Sequence, residues 1–461
     1  MVNPITLIPG ANWKHPNPRL QSAWDWARVG FVIFPLLPSV GAVVIFTALV
    51  KTWRQAGREI IAHRLNWGLA LLTPWLIVVS ILGRYPGDAA LGLANFLPFF
   101  GFFAAYSTLI QSPEQLRQLA WIFTLPCLPV MLFGLGQMFL GWGGILPIPG
   151  VPGLIWELHP GGEPMGRMSS LFAHANPLAV YLQMVFIFAL GLLVDTYNRN
   201  INARKDNSIA APNRIWKSPA FLWLLALLPI SVLSLILTSS RSAWSVMMLS
   251  SLVFTIYQSW YWIVGIVTAI ATVILSAAYA PSPLKEPLRS IVPFYFWGRI
   301  TDDMYPNRPT EITRVELWKF AWKMTQSRPI TGWGLQSFGP LYQDYAHTWL
   351  GHPHNLLLTL SSNLGIPTTI GLFGLVGWIL VQGTLLFLNF PIQWRSEQTI
   401  FFTYLVAFAG LIITNIADAT FVELRLNTHA WLILSSICGL VYSTRSSLDD
   451  PDRLVAKDSL N

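Results

Sequence analysis

Long apolar runs separated by polar breaks organise this chain. Such runs recur at 67–83, 89–110, 118–140, 171–194, 219–238, 243–257, 261–280, 366–388, 399–417 and 429–442, and runs of this kind are what a helix needs to cross a bilayer. The segment from Trp24 to Val50 is long enough for one more helix, yet "FPLLPSVG" puts Pro35, Pro38 and Gly41 at its centre. Proline breaks the helical ladder, which makes a hairpin of two short helices the alternative. Lys14, Arg19 and Arg28 come before this segment; Lys51, Arg54, Arg58 and Arg64 follow it. Only a hairpin keeps both basic flanks in the cytoplasm, as the positive-inside rule asks. The pattern predicts an all-α integral membrane protein, one polytopic domain over 1–461 with about 12 transmembrane helices and both termini cytoplasmic.

Two polar breaks are long, 141–170 and 281–354, and the same count puts both on the periplasmic side. The first is rich in glycine and proline ("GWGGILPIPGVPG"). The second, a large periplasmic loop containing short helices, holds the amphipathic stretch "TEITRVELWKFAWKMTQSRP". There Thr310 can cap a helix, Glu311 suits its first turn and Pro329 lies beyond its end. Ile312, Val315, Trp318 (or Phe320) and Trp322 form its expected apolar face. The segment 195–218 and the tail 443–461 fall on the cytoplasmic side, and the tail reads as short, polar and disordered.

Composition strengthens this picture. The chain is 53% hydrophobic and 11% charged, against about 25% charged in ordinary soluble domains, and its mean hydropathy is +0.51. Twenty-two tryptophans and 27 phenylalanines suit rings gathered at membrane interfaces, with membrane lipids as neighbours. The net charge of +8 raises nucleic acid as a partner. The cations, however, gather in segments that the topology assigns to the cytoplasm, so the basic balance is topology and no nucleic acid is expected. Cys127 and Cys438 both lie in apolar runs, which excludes a disulfide framework and a cysteine-built zinc site. The first cation is Lys14, so no cleaved signal peptide is expected. The ten apolar runs hold no Asp, Glu, Lys or Arg, which weighs against an ion-coupled transporter.

Candidate chemistry gathers on the predicted periplasmic side. In "WLGHPHNLLLTLSSNLGIPT", Pro353 suits the first position of a helix and His354 its first turn, where free amides and the helix dipole disfavour an imidazolium. A neutral imidazole there can take a proton from a hydroxyl. Asn355, Thr359 and Ser362 form a polar stripe along the same helix, and Gly365 and Pro367 are expected to stop it. Boundary histidines are often only tolerated polar residues, and a metal site from His347, His352 and His354 is a further alternative. The proline between His352 and His354 and the lack of special spacing for Asp344 argue against that site. Arg241 in "LTSSRSAW", Arg314 in "TRVELW", and Arg167 with His174 in "MGRMSSLFAHANPLA" share the outer face. Each arginine can be a snorkelling cation, but several converging guanidinium groups can also hold a pyrophosphate without metal.

These residues resemble the O-antigen ligase and polymerase family of bacterial inner-membrane enzymes. The family's histidine motif is His, then Asn, Ser or Gln, nine residues, Gly, two residues, then Gly, Thr or Tyr. It fits His354-Asn355, Gly365 and Thr368. Arg314, Trp318, Ala321, Pro329, Gly332, Gly334 and Phe338 resemble the signature that precedes it, and Arg241 resembles the arginine that opens a span. The motifs cover about 130 residues. The resemblance implies metal-independent, inverting glycosyl transfer at the periplasmic face of the inner membrane, without a cofactor. The donor is a glycan on a polyprenyl pyrophosphate, and a lipid or glycan hydroxyl is the acceptor. It also implies His354 as catalytic base and Arg241 and Arg314 as the pyrophosphate site, with Arg167, His174, His352 and Asn355 as supporting residues. An inorganic-carbon (bicarbonate) or other small-solute transporter is the alternative, because "GRMSSLFAHANPLA" resembles a cyanobacterial branch of the superfamily proposed to handle inorganic carbon. A non-catalytic scaffold is a third reading, one that gives the arginines and His354 no shared purpose.

Overall fold

The computed structural model describes residues 14–148, 155–205, 218–304 and 313–449. Helices dominate. In chain order they are α1 (Gln21–Ile33), α2 (Pro38–Ala62), α3 (Arg64–Ile81), α4 (Pro86–Gly92), α5 (Leu97–Leu109), α6 (Pro113–Thr124) and α7 (Cys127–Phe139). Next come α8 (Ala175–Lys205), α9 (Pro219–Leu237), α10 (Arg241–Tyr257) and α11 (Tyr261–Tyr279). The short α12 (Lys285–Ile291), α13 (Phe294–Thr301), α14 (Arg314–Ser327) and α15 (Phe338–Ala346) precede the long α16 (Leu356–Leu388), α17 (Gln398–Ile416) and α18 (Leu424–Asp449). The glycine-rich segment adds two strands, β1 (Gly144–Pro147) and β2 (Ile155–Leu158), paired antiparallel with Gly144 opposite Leu158.

Among the described residues, nine helical runs are long and apolar enough to cross a membrane. α4 with α5 forms one such run and α6 with α7 another; α3, α8, α9, α11, α16, α17 and α18 supply the rest. The remaining crossings counted from the sequence correspond to α1, α2 and α10. α1 has 13 residues and α10 has 17, which is short for a crossing, and α2 carries Lys51, Arg54, Arg58 and Glu59. The hairpin itself is present, although its second arm runs 25 residues. α1 packs tightly on α2 because glycine lets the backbones approach: a Cβ at Gly41 would lie 2.5 Å from the Phe34 Cα.

α8 is the central helix, 83% buried over its crossing segment and packed by α6, α9, α10 and α17. Its far end gathers strong charges just beyond the apolar runs. The helices extend past the apolar runs, so Arg117 of α6 and Asp195 and Arg199 of α8 lie within them. Arg117 Nε sits 3.0 Å from Asp195 Oδ2, and both arginines also pair with Glu397. Asp195 is only 2% exposed, a burial that a carboxylate tolerates when paired. α18 likewise runs to Asp449, beyond the predicted start of a disordered tail at 443; residues 450–461 lie outside the described residues.

In α14 the expected apolar face is only partly the packed one: Trp318 and Phe320 pack against the buried cluster. Val315 and Trp322 are exposed, while Leu317, Ala321 and Met324 are buried against Phe338 and Tyr342 of α15. Thr310, Glu311 and Ile312 lie outside the described residues, and the helix begins at Arg314.

Gly365 and Pro367 do not stop α16; they open one turn of it. Gly365 adopts φ 79°, ψ 167°, a conformation essentially restricted to glycine. Pro367 has no N–H for the Asn363 carbonyl four residues back, and the Gly334 N–H takes that carbonyl at 2.9 Å. The Trp333 N–H bonds the Ser362 carbonyl at 3.0 Å, and the Ile366 N–H turns to the Pro329 carbonyl at 2.7 Å. The segment 329–334 therefore satisfies the opened turn group by group. This accounts physically for the spacing of Pro329, Gly332 and Gly334: a Cβ on Gly332 would meet the Asn363 carbonyl carbon at 2.4 Å. Gly365→Ala places its Cβ 2.1 Å from the Ile330 carbonyl oxygen. It is expected to cost at least roughly 2 kcal/mol and to lower the thermal midpoint in detergent. Gly374→Ala in the same helix meets nothing within 4 Å and should leave the midpoint unchanged or raised.

Candidate active site

The entry to α16 differs from its expected register. The helix begins at Leu356 rather than Pro353, and Asn355 caps it: its side chain accepts the Leu358 N–H at 2.9 Å, as asparagine caps do. His354 therefore lies one residue outside the helix, in a left-handed conformation with φ 52°. Dipole control of a first-turn imidazole does not apply there. Thr359 and Ser362, the other members of the polar stripe, donate to their own helix carbonyls, of Asn355 and Thr359 respectively. They are structural.

The group that faces His354 is Asp418, 64 residues away in the chain. His354 Nδ1 lies 3.1 Å from Asp418 Oδ1, with the side chains 29% and 14% exposed. Asn355 sets this up, because its Nδ2 donates to the Ile416 carbonyl at 2.9 Å and so ties the start of α16 to the end of α17. Burial pushes the Asp418 pKa up, but the His354 hydrogen bond, the two imidazole charges and the Ala419 amide outweigh it, and the carboxyl sits below its ordinary value. An ionised carboxylate only accepts, so Nδ1 must carry the hydrogen, leaving Nε2 of the neutral ring as the unprotonated nitrogen.

His352 packs edge-on against His354, ring centroids 4.5 Å apart, and its Nδ1 accepts the His354 backbone N–H at 3.2 Å. Burial, then the charge of His354, lowers its pKa to about 4, with Asp418 opposing. This ring is neutral at ordinary pH and holds the backbone turn of His354. His352, His354 and Asp418 each offer a ligand atom within 4.8 Å of the others, a three-donor set that holds Asp418 and not His347, the third histidine of the metal alternative. Both Nδ1 atoms in that set are already committed to hydrogen bonds.

Arg167 is 9% exposed. Its Nε donates to the Thr238 carbonyl at 2.8 Å and its Nη2 to Asn176 Oδ1 at 2.6 Å. It thereby fastens the loop before α8 to the end of α9. His174 sits in the field of Arg167, Glu163, Asp418 and His354, and burial and then Arg167 lower its pKa. The 167–176 segment thus joins the His354–Asp418 pair to the turn that opens α10. On that turn Arg241 reaches Asp302 Oδ1 at 3.2 Å and the Ile300 carbonyl at 3.4 Å. Arg299, which sequence reasoning did not single out, donates from Nε to the Ser239 carbonyl at 2.9 Å. Three guanidinium groups therefore converge around residues 238–241. Arg314 opens α14, half-buried, next to residues outside the described set.

Beside Asn355 a cavity of about 540 Å³ runs between α16, α17 and α18. Asn355, Asn415 and Asn427 give its lining polar groups, while Leu360, Phe408 and Leu434 give apolar wall.

A bundle with nine membrane-length apolar helices among the described residues is that of a multi-pass membrane protein. Residues 221–373 match a family model described as O-antigen ligase, a match that takes in Arg241, Arg314 and His354 and supports membership of the O-antigen ligase family. That family implies a ligase- or glycosyltransferase-like enzyme acting on lipid-linked glycans in general. No curated protein matches the chain.

Proposed function

We propose that this protein transfers a glycan from a polyprenyl-pyrophosphate donor to an acceptor hydroxyl at the periplasmic face of the inner membrane. The observation that carries the reading is the His354–Asp418 pair, 3.1 Å apart. Asp418 holds the imidazole in the tautomer that exposes Nε2, and Nε2 takes the acceptor proton as the hydroxyl oxygen attacks the anomeric carbon. The glycosidic bond to the pyrophosphate breaks on the opposite side, so configuration inverts and pyrophosphate leaves with the bond electrons. Arg241 and Arg314 bind that leaving group by bidentate hydrogen bonds and stabilise its growing charge. Arg299 and Arg167 hold the 238–241 turn from which Arg241 projects. The cavity beside Asn355 takes an apolar lipid chain, and no metal or other cofactor enters the mechanism.

Surface polysaccharide from a deletion strain, resolved on gels, tests this. Lipid acceptor carrying a single repeat unit identifies a polymerase, and free full-length chains beside unmodified acceptor identify a ligase. An unchanged pattern overturns the reading. The orientation has its own test. Single cysteines at Asp303 and Asn389, on opposite sides of α16, should label from opposite faces with an impermeant maleimide, Asp303 from the periplasm. The native Cys127 and Cys438 are buried and give little background. Labelling of both positions from one face contradicts the topology.

A further inference from the structure

At the end of the bundle away from His354, a second cavity of about 530 Å³ lies between the α2–α3 elbow, α16 and α18. The separation follows from helix length: Asn355 caps α16 and Gln382 lies 27 residues along the chain from it, which at 1.5 Å rise is about 40 Å. Arg64, Arg445, Gln382, His63, Tyr442 and Trp378 line this cavity.

Its chemistry is that of an anion site. Arg64, exposed, opens α3, an 18-residue helix, and helix starts of this kind favour anions. No ion pair of Arg64 is found among the described residues. Arg445 extends from α18 and hydrogen-bonds Gln382 Oε1 across the cavity. His63 is 4% exposed, yet neither ring nitrogen has a hydrogen-bond partner among the described residues. Buried polar groups are almost always paired, and the described residues supply no partner for this ring. Burial lowers the pKa of His63, so it enters the cavity wall as a neutral imidazole with one N–H to donate. The ring packs on Tyr442, centroids 4.2 Å apart.

The surroundings select the source of the anion. Trp378 is 53% exposed and Tyr442 46%, and amphipathic rings of this kind favour the headgroup level of a bilayer. Deeper along α16, toward the middle of the bundle, Ile370 presents an apolar side chain outward, on a face along which acyl chains can lie. Basic pockets between helix ends are a general mode of anionic-lipid recognition. We propose that this cavity binds the phosphate diester of an anionic phospholipid, with Arg64 and Arg445 on the phosphate oxygens and His63 as a further donor.

Thermal unfolding of the full-length protein in neutral detergent tests this, titrated separately with phosphatidylglycerol, phosphatidylcholine and inorganic phosphate. Phosphatidylglycerol should raise the midpoint saturably, with little effect from the other two. The arginines on the His354 side also attract anions, so variants decide the site. Arg64→Glu alters an exposed side chain and should leave the lipid-free midpoint near wild type while weakening the apparent lipid affinity at least tenfold. Arg445→Gln should weaken it similarly. Wild-type lipid affinity in both variants overturns the site, as does the lack of any saturable shift. An equal shift with inorganic phosphate alone overturns the lipid as the source.

Discussion

Asp418→Asn is expected to leave the fold of the protein intact and to lower glycan transfer by roughly 10²–10⁴-fold, the usual worth of general-base catalysis. The amide can still occupy the place beside His354 Nδ1, 3.1 Å away in wild type. An amide N–H donating to Nδ1 moves the ring proton to Nε2, however, and the nitrogen facing the acceptor can then no longer act as base. His354→Ala should lose as much, and the double variant little more, because the two side chains act as one unit. His352→Ala is the contrast. That ring supports the His354 backbone through its Nδ1, and with its pKa lowered to about 4 it is too weak a base for the task. A loss of at most about tenfold is expected from it, far below the general-base range. Asp418, held below its ordinary value, stays ionised at neutral pH and keeps the His354 tautomer fixed. A dead His352→Ala beside an active His354→Ala reverses the assignment.

The second large effect concerns the leaving group. Arg241→Ala and Arg314→Ala are each expected to reduce transfer by about 10²–10³-fold, the cost of removing one donor that stabilises charge in the transition state. Lysine should restore only part of the rate, because a point charge cannot reproduce a planar fork. The structure adds a refinement at Arg241. Its guanidinium rests against Asp302, with Arg299 3.9 Å from the same carboxylate oxygen, so an arriving pyrophosphate competes with Asp302 for both arginines. Asp302→Asn should therefore tighten donor binding even where it slows turnover. Membrane levels measured beside the rates separate these effects from misfolding. Full transfer in both alanine variants, at normal protein level, reduces the arginines to boundary cations.

What the sequence made legible is what repeats or is contiguous. Apolar runs marked most helices, Pro35 and Pro38 marked the hairpin, and the basic flanks gave it a reason to turn back. Ends were harder to read. Helices run on past their apolar stretch when a charge at the end finds a partner, as Arg117 and Asp195 do, and no local pattern reports a partner 78 residues away. The face of α14 was only partly assigned because Trp318, Phe320 and Trp322 offered competing stripes, and packing against Phe338 and Tyr342 decided the matter. Gly365 and Pro367 read as a stop because the segment that rescues the opened turn, 329–334, lies in the preceding loop, far from them in sequence.

The site divides the same way. His354 and Asn355 were visible as a dipeptide at a helix entrance, although the cap proved to be Asn355 itself. Asp418 was missed because its relation to His354 exists only after α16 and α17 pack. The available signal was an acidic residue just past the apolar run 399–417, on the same predicted side as the histidine. Arg299 left less trace, a single cation in a long polar segment whose role depends on the Ser239 carbonyl.

Transfer by the purified protein in the presence of EDTA tests the central claim most directly, with a polyprenyl-pyrophosphate glycan donor and a hydroxyl acceptor, comparing wild type with His354→Ala and Asp418→Asn. The account predicts product from wild type with chelator present, and at most a trace from either variant while donor binding persists. Equal product from the variants contradicts the base assignment. Loss of wild-type activity in EDTA, restored by zinc, instead makes His352, His354 and Asp418 a metal site.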